Sequence, residues 1–406
     1  MLLDNCRVLD VERGTTTGPH AVEIRDGLIR AVTSAGGLEP RSGQERLNLQ
    51  GRVVMPGLWD VHCHPGMHAQ AMHRPDEPRE VRLANVEESL RGALRSGVTG
   101  VRITGEAFYT DLELRGRADL PRIVASGPAI KAPRGHGWRR DWPYDSTLRD
   151  PFGSTEVADL RELVAAVDAR AHAGCDWVKL FVTGGIAGDE ETPDDLQFDA
   201  ELLDAACERA HGHGLRVAAH LGNPRATGLA LDAGVDSVEH GYALDAATVE
   251  RMAEAGTFYV PTLGVTHAID RMREMGWPEV MIDRARRVQP VHRRSFEFAL
   301  AAGVKIASGS DMRPLAVAST LEVLLLARAG LSTAGALRAA TLDAARLCGL
   351  GSEVGSVAPG RAADLLIVDD DPTERLEVIK APHLVLREGV VVGGHGFNPP
   401  WAACRD

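Results

Sequence analysis

Aromatic side chains are scarce in this chain, making up only 4% of its 406 residues. Basic residues form no stripe along any segment, and their total of 45 is exceeded by 57 acidic residues, giving a formal charge of −12. This balance argues against a nucleic-acid partner, which requires a basic surface. No apolar run is long enough to cross a membrane. We therefore expect a globular protein with neither nucleic-acid nor membrane partners.

Cysteine is also rare and scattered. The six cysteines are Cys6, Cys63, Cys175, Cys207, Cys348 and Cys404. None has the CxxC spacing and no signal peptide precedes them, so we expect a reduced, cytoplasmic protein. Cys63 stands between two histidines, but alternation along a strand turns its side chain to the opposite face. We interpret Cys63 as a small core residue and not as a metal ligand.

The motif His62-Cys63-His64 follows the apolar run 53–60. We interpret that run as one buried parallel strand that ends at the motif. Two imidazoles separated by one residue on a strand point to the same side, so His62 and His64 can bind one metal ion. A single HxH motif is weak evidence, because histidine pairs also occur on polar surfaces.

Other apolar runs carry a residue of ligand type, either at their end or, for Lys179, inside the run. These runs are 177–182 with Lys179, 216–220 with His220, 237–241 with His240, and 304–311 with Asp311. Taken singly, each residue has a simpler explanation, such as a core histidine, a lysine reaching solvent or a helix-capping aspartate. A buried ammonium is costly unless neutralised or paired. Because such groups recur at successive strand ends, we predict a metal site formed by His62, His64, Lys179, His220, His240 and Asp311.

Both ends of the chain consist of short alternating segments separated by turns. The segments read as strands are 5–10, 21–25, 27–32, 46–49, 363–368, 383–387 and 390–392. Between the two ends, strand-like runs alternate with helical periodicity, which predicts βα units around a parallel sheet. One helix is predicted near 157–171 with Ser154 and Thr155 as capping candidates, and Asp199 is predicted to cap the next one.

Together the motifs resemble those of the amidohydrolase superfamily, and within it the imidazolonepropionase-like group of prolidase-like dipeptidases and acyl-amino-acid hydrolases. The matching segments are 55–64, 97–102, 178–185, 219–220, 238–241, 260–263, 303–311 and 359–365. The resemblance implies an α/β fold, a (β/α)8 TIM-type barrel over residues 53–352 beside a small β-sandwich domain made from residues 1–52 and 353–406. The length of 406 residues exceeds the roughly 250 of one barrel, which agrees with a second domain.

The resemblance also implies a binuclear metal centre. One divalent ion is assigned to His62, His64 and Asp311, and the other to His220 and His240. Lys179, carboxylated by carbon dioxide to N6-carboxylysine, bridges both ions and so replaces a buried cation by an anion that faces the metals. Zinc is the expected metal, with manganese and iron as alternatives.

The reaction implied is hydrolysis of the C–N amide bond of a dipeptide, N-acyl amino acid or related small amide. A hydroxide bridging the two ions attacks the carbonyl carbon, and Asp311 transfers its proton to the departing nitrogen. His136, in Gly135-His136-Gly137, matches a family loop that places its histidine over the substrate. Tyr242 is the third candidate catalytic residue. Members often have an aromatic residue three positions after the strand-six histidine, where this chain has Ala243, with Tyr242 one place earlier.

Departures from the family pattern are expected to affect the choice of substrate, and none of them removes a metal ligand. Pro133 and Arg134 precede Gly135 where the family usually has two glycines before the histidine, and Ser310 stands where threonine is usual. A cyclic amide, carbamate or lactone therefore stays open as an alternative substrate. A single-metal deaminase or imidazolone hydrolase generally lacks the lysine, and the complete ligand set argues against a non-catalytic scaffold. Assembly into a homo-oligomer also stays open.

Two charged segments lie close to the predicted site. Residues 264–302 form an arginine-rich insertion, interpreted as a solvated helical face; the alternative is a cover whose arginine binds a substrate carboxylate. The acidic loop 188–195, which includes Asp189, follows the Lys179 strand, where barrel loops line the active site. It is either a solvated loop or a feature that favours a cationic substrate group.

Overall fold

A computed structural model of the chain describes residues 1–38, 42–67, 76–140, 150, 152–188 and 190–396. Two residues singled out from the sequence, Asp189 and Cys404, lie outside the described residues. Within the described ranges, no helix combines the length and the apolar character that crossing a membrane requires.

The strands and helices alternate through the middle of the chain, and strands dominate both ends. The strands are β1 (Leu2–Asp10), β2 (Thr15–Arg25), β3 (Leu28–Ser34), β4 (Arg46–Asn48), β5 (Val53–Pro56), β6 (Leu58–Cys63), β7 (Val98–Ile103), β8 (Arg122–Ala125), β9 (Ile130–Lys131), β10 (Thr155–Glu156), β11 (Trp177–Phe181), β12 (Arg216–Leu221), β13 (Ser237–His240), β14 (Phe258–Val260), β15 (Leu365–Val368), β16 (Leu384–Arg387) and β17 (Val390–Gly393). The α-helices are α1 (Arg79–Arg95), α2 (Thr110–Leu114), α3 (Leu160–Ala173), α4 (Ala200–Gly212), α5 (Pro224–Asp232), α6 (Ala246–Ala255), α7 (Gly264–His267), α8 (Ile269–Glu274), α9 (Glu279–Ala301), α10 (Leu315–Arg328), α11 (Thr333–Ala339) and α12 (Leu342–Leu347). Short 3₁₀ helices lie at Ala107–Tyr109 and Leu376–Lys380.

Strands from both ends of the chain form one sheet, which we call the terminal sheet. Its order is β17-β16-β15-β5-β1-β2-β3, with β4 paired to β1. The two ends meet where β15 pairs antiparallel with β5, which in turn pairs parallel with β1. Leu3, Ile29 and Ile367 pack together in its apolar core. Each terminal segment predicted as a strand overlaps a strand of this sheet. The exact domain boundaries stay a prediction.

The apolar run 53–60 is not one strand, contrary to the prediction. Its first half is β5 in the terminal sheet, whereas its second half belongs to β6, which pairs parallel with β7. The run changes sheets at Pro56 and Gly57. Proline has no amide hydrogen to extend the ladder, and a Cβ at Gly57 would lie 2.1 Å from Thr99 Oγ1, so only glycine permits this close approach.

The middle of the chain forms two parallel sheets, β6-β7-β8 and β10-β9-β11-β12-β13-β14. Helices α3, α4, α5 and α6 each connect two successive strands of the larger sheet, which confirms the predicted βα alternation. Backbone hydrogen bonds link the two sheets on both sides. Asp176 N donates to Ala125 O, and residues 305–308 bridge β14 and β6 by contacts with Tyr259 and Val61.

Two helix caps fix where the chain enters α3 and α4. Ser154 and Thr155 do not cap α3, contrary to the prediction, because Thr155–Glu156 pairs with β9 as a strand. The cap is Asp159, whose carboxylate accepts a hydrogen bond from Glu162 N at 2.8 Å. Asp199 caps α4 as predicted, accepting from Leu202 N at 3.0 Å. Each cap satisfies an amide that the helix itself leaves unbonded.

Cys63 packs against Val86 and Leu90 of α1, on the face opposite the histidines, as the sequence predicts. Cys6, Cys63, Cys175, Cys207 and Cys348 are all free thiols. Free thiols agree with a reducing environment, while the cytoplasmic location itself stays a prediction.

Candidate metal centre and active site

Four imidazoles meet at the carboxyl ends of three parallel strands. His62 lies on β6 with His64 directly after it, His220 lies on β12, and His240 ends β13. The ring centroids are 5.5 Å apart for His62 and His64, 4.7 Å for His62 and His240, and 4.4 Å for His220 and His240. All four rings are buried. The structure thus brings together every histidine that the sequence analysis proposed as a ligand.

Asp311 joins these histidines from the loop after residues 305–308. Its N–H donates to the carbonyl of His62 at 2.8 Å, and its Oδ1 lies 3.4 Å from His64 Nε2. One ligand atom from each of His62, His240 and Asp311 lies within 4.8 Å of the other two. Burial raises the pKa of Asp311, and the positive charge of Lys179 opposes that rise. This clustering is the arrangement expected for donors that share a metal centre.

Hydrogen bonds fix which ring nitrogen each histidine offers. In three of the rings, Nδ1 is hydrogen-bonded to the protein. His62 Nδ1 lies 2.6 Å from Glu239 Oε2, and His64 Nδ1 lies 2.9 Å from the Gly105 carbonyl. His240 Nδ1 lies 2.6 Å from Thr262 Oγ1. Their Nε2 atoms are left for a metal ion. In His220 the two ring nitrogens exchange these roles. Its Nε2 lies 3.2 Å from the Gly184 carbonyl, and its Nδ1 has no hydrogen-bond partner among the described residues. Burial lowers the pKa of all four imidazoles, so they are neutral, as metal ligands must be.

Lys179 lies fully buried on β11, and its Nζ has no hydrogen-bond partner in the part of the chain that the structure describes. Burial lowers the pKa of its ammonium, although Glu239 and Asp311 oppose that shift. Burial is the main cause that lowers the pKa of the four histidines, and the positive charge of Lys179 adds to it for each of them. Neutral imidazoles, of which His220 has an unpartnered Nδ1, a carboxylate and an unsatisfied buried amine together fit a site for metal ions.

A buried ion pair that the sequence analysis missed holds His62 in place. Glu239, which accepts from His62, also accepts from Arg102 Nη2 at 2.7 Å and from Ser237 Oγ at 2.5 Å. Arg102 donates through Nε to the carbonyl of Val61 at 2.7 Å, which ties β7 to β6. Carboxylates in this position fix the tautomer and orientation of a ligand histidine. The only signals in the sequence are a glutamate and an arginine inside otherwise apolar strands.

Asp60 is a second buried acid that sequence reasoning passed over. Its carboxylate accepts from Ser310 N at 2.9 Å, Ser310 Oγ at 2.5 Å and Ser319 Oγ at 2.7 Å. It also accepts from His62 N at 3.2 Å. One carboxylate therefore connects the strand that carries His62 to the loop that carries Asp311. Ser310, a departure from the family pattern, contributes a hydroxyl to this network, as a threonine would.

The backbone is strained at the site itself. His240, Thr262 and Asp311 have φ angles of 65°, 50° and 48°, in the left-handed region that non-glycine residues seldom adopt. Such strain persists only where surrounding contacts determine the conformation. The contacts here include the bond from His240 to Thr262 and the bond from Asp311 N to the His62 carbonyl.

The loop after β11 contains a buried acid, so it is not simply a solvated loop. Glu191 is 7% exposed, and its Oε2 lies 2.9 Å from His136 Nδ1. The N–H groups of Gly137 and Gly188 also donate to it. Burial opposes ionisation of Glu191, but the charge of His136 and these hydrogen bonds outweigh it and lower its pKa to about 2. Glu191 thus fixes the ring of His136.

The neighbouring Glu190 is exposed and pairs with Arg134 and Arg140. Both glutamates of this loop are therefore engaged by cationic or hydrogen-bonding groups of the protein itself. Neither glutamate is therefore left unpaired for a cationic substrate group, and the preference of the loop as a whole stays a prediction.

His136 and Tyr242 line one cavity above the histidines, together with Asp311 and Arg313. The ring of His136 lies 4.1 Å from that of His220, between centroids. Tyr242 stacks on His240 at 5.2 Å with an interplanar angle of 19°. Both side chains are therefore placed where a substrate bound at the metal centre would meet them, and their catalytic roles stay predictions.

The insertion 264–302 folds into α7, α8 and α9. Several of its arginines pair with acids of the same segment: Arg271 with Glu274, Arg273 with Asp270, Arg286 with Asp283 and Arg293 with Glu297. These exposed pairs agree with a solvated helical face. Val265 and Trp277 of the insertion line the cavity, so the part that covers the site is apolar. Arg284 of α9 donates to the carbonyl of Gly188, which connects the insertion to the loop after β11.

Fold and site together define a class, the metal-dependent hydrolases built on a parallel α/β fold. The chain belongs to the amidohydrolase family, whose model matches residues 53–394. It is 27% identical over 369 residues to ochratoxinase of Aspergillus niger, an alignment that covers 86% of this chain and 77% of that protein. The predicted resemblance to amidohydrolases, and with it a hydrolase acting on C–N bonds, is confirmed.

Solved structures give the same result. A prolidase crystallised with N-methylphosphonate-L-proline matches with a TM-score of 0.88 and 28% identity, covering 97% of this chain and 99% of that one. A Xaa-Pro dipeptidase with bound methionine matches with a TM-score of 0.84 and 26% identity over the same shares. The α/β fold of this chain is therefore that of amidohydrolases.

Proposed function

We propose that the protein is a binuclear metal-dependent hydrolase that cleaves the C–N amide bond of a dipeptide, an N-acyl amino acid or a related small amide. The observation that carries this proposal is Lys179, a fully buried amine without a hydrogen-bond partner among the described residues, whose positive charge helps to lower the pKa of the four buried imidazoles. A protonated lysine is costly there, whereas N6-carboxylysine would present two oxygens to two ions. The likeness to a prolidase and a Xaa-Pro dipeptidase supports the substrate class.

In this proposal the two parallel sheets are the wall of one (β/α)8 barrel, and the terminal sheet is part of a β-sandwich domain. One ion would be held by His62, His64 and Asp311, the other by His220 and His240, and carboxylated Lys179 would supply a further anionic ligand. Zinc suits these nitrogen and carboxylate donors. When bound, the ions supply Lewis acidity for the substrate carbonyl and for the attacking water.

Three side chains of the cavity have separate roles in the proposed reaction. Asp311 accepts the proton of the attacking water and gives it to the departing nitrogen. His136 is held by Glu191 through Nδ1, and its Nε2–H, when the ring carries both protons, donates to the oxygen that becomes negatively charged. Tyr242, stacked on His240, orients the substrate with its hydroxyl.

The lining of the cavity favours a substrate with an apolar side chain and an anionic group. Met67, Phe152, Ile186, Val265, Trp277 and Met312 provide apolar surface. Arg313 belongs to the same lining. Burial lowers its pKa to about 10, so the group still carries its charge at neutral pH. Guanidinium groups bind carboxylates in a bidentate manner, which suits the free carboxylate of a dipeptide or N-acyl amino acid.

A product-release assay over dipeptides and N-acyl amino acids tests this function. Compounds with an apolar C-terminal residue should be cleaved, and their carboxamide analogues should react with a roughly ten- to hundredfold lower kcat/KM. A chelator should abolish the activity, and added zinc should restore it. Cleavage confined to lactones, carbamates or cyclic amides would contradict the proposal and favour the alternative substrates.

Glu191→Gln is expected to lower kcat by roughly ten- to a hundredfold, because the neutral amide accepts the hydrogen bond from His136 less strongly and holds the ring less firmly over the substrate. Metal content should not change. Glu190→Gln is the matched control, since it alters the adjacent exposed residue. Equal kcat values for the two variants would show that the bond between Glu191 and His136 has no part in the reaction.

A further inference from the structure

Three residues with metal-binding side chains meet at one end of the terminal sheet, away from the barrel histidines. Asp369 directly follows β15, His383 directly precedes β16, and His395 lies just after β17. The antiparallel pairing of these strands brings the three positions to the same end. Backbone bonds hold them there: His383 N donates to the Ile367 carbonyl at 2.7 Å, and His395 N donates to the Pro382 carbonyl at 3.0 Å.

Their side-chain atoms converge on one another. His395 Nε2 lies 3.0 Å from Asp369 Oδ2, and His383 Nδ1 lies 3.7 Å from Asp369 Oδ1. The two ring centroids are 5.1 Å apart. One donor atom from each of the three residues lies within 4.8 Å of the other two. Imidazole nitrogens and a carboxylate oxygen at this spacing are donors of the type that can share one ion.

One of these donors has no partner in the protein. His383 Nδ1 is buried and forms no hydrogen bond with any described residue. A buried polar atom without a partner is uncommon and calls for a ligand, an ion or a water.

The carboxylate is oriented from its other side. Arg52, which immediately precedes β5, donates through Nε to Asp369 Oδ1 at 2.7 Å. That bond leaves Oδ2 facing His395 and fixes the plane of the carboxylate, as outer partners of metal ligands do. His395 and Asp369 are about half exposed, so an ion can reach the group from solvent.

We propose that Asp369, His383 and His395 bind one divalent ion of the zinc type. Two imidazoles and one carboxylate oxygen suit zinc, nickel or copper, whereas calcium and magnesium prefer oxygen ligands alone. The bound ion ties β15, β16 and β17 together, and Arg52 extends this connection to the N-terminal part of the same sheet. The site therefore stabilises the terminal sheet and has no part in the hydrolysis.

The test uses the full-length protein with Zn²⁺ as the probe. Wild type and the double variant His383→Gln/His395→Gln are dialysed against the same micromolar Zn²⁺, and the zinc bound per chain is measured by mass spectrometry. His211→Gln is the matched control, since His211 is also an exposed imidazole, 3.0 Å from an aspartate carboxylate. His395→Gln alone changes a half-exposed side chain and serves if the double variant folds poorly.

The double variant is expected to bind about one Zn²⁺ fewer per chain than wild type, while His211→Gln binds as much as wild type. Amide hydrolysis should be the same in all of these proteins. Ions in the barrel centre are counted in each of them, so the difference does not depend on the proposed function. Equal zinc content in wild type, in the double variant and in His211→Gln would overturn the proposal.

Discussion

Asp311→Asn is expected to lower kcat by roughly two to four orders of magnitude, because the amide keeps the size of the side chain but cannot accept the proton of the attacking water. KM should change much less, since the apolar lining and Arg313 remain. Steady-state kinetics on the best substrate from the release assay, together with metal content, measure the effect.

The matched control is Asp270→Asn, which makes the same change at a side chain that is 96% exposed on α8. Its kcat should equal that of wild type. If Asp311→Asn also turns over at the wild-type rate with its metal ions bound, Asp311 does not move the proton, and another group of the cavity must do so.

Lys179→Ala is expected to lose metal and activity together. The carbamate proposed there is a ligand of both ions, so its removal leaves each ion held mainly by two histidines. The loss of activity should exceed the roughly ten- to hundredfold decrease expected when a residue that hydrogen-bonds a metal ligand is removed. The metal content of the variant is compared with that of wild type, and activity is measured on the same samples.

Acetate or propionate at high concentration is expected to restore part of both losses, because its two oxygens imitate those of the carbamate. Lys305→Ala is the matched control, since Lys305 lies on the segment that bridges β14 and β6 with its side chain exposed. Full metal content and normal turnover in Lys179→Ala would refute the carbamate.

Much of the site was predictable because its histidines lie at or beside the ends of strands, where the local sequence carries the signal. The spacing of His62 and His64, and a lysine inside the apolar strand β11, are visible without any long-range information. The motifs around them placed the chain in its family. The strands of both chain ends were also recognisable, since their alternation is local.

The parts that were missed depend on partners that are distant in sequence. The run 53–60 is uniformly apolar, so periodicity could not show that it changes sheets at Pro56 and Gly57. The sequence does not distinguish Glu191 from its acidic neighbours, because nothing local shows that its carboxylate contacts His136. Glu239 supports a ligand on another strand, and Asp60 connects the strand of His62 to the loop of Asp311, so the function of both acids follows only from three-dimensional contacts.

The most direct test of the central claim is a crystal structure with anomalous data collected at the zinc edge. The account predicts two peaks roughly 3.5–4 Å apart beside Lys179, with electron density for a carboxyl group on its Nζ. One of the peaks should contact His62 and His64, and the other His220 and His240. A single peak, or none, beside an unmodified Lys179 would contradict a binuclear centre.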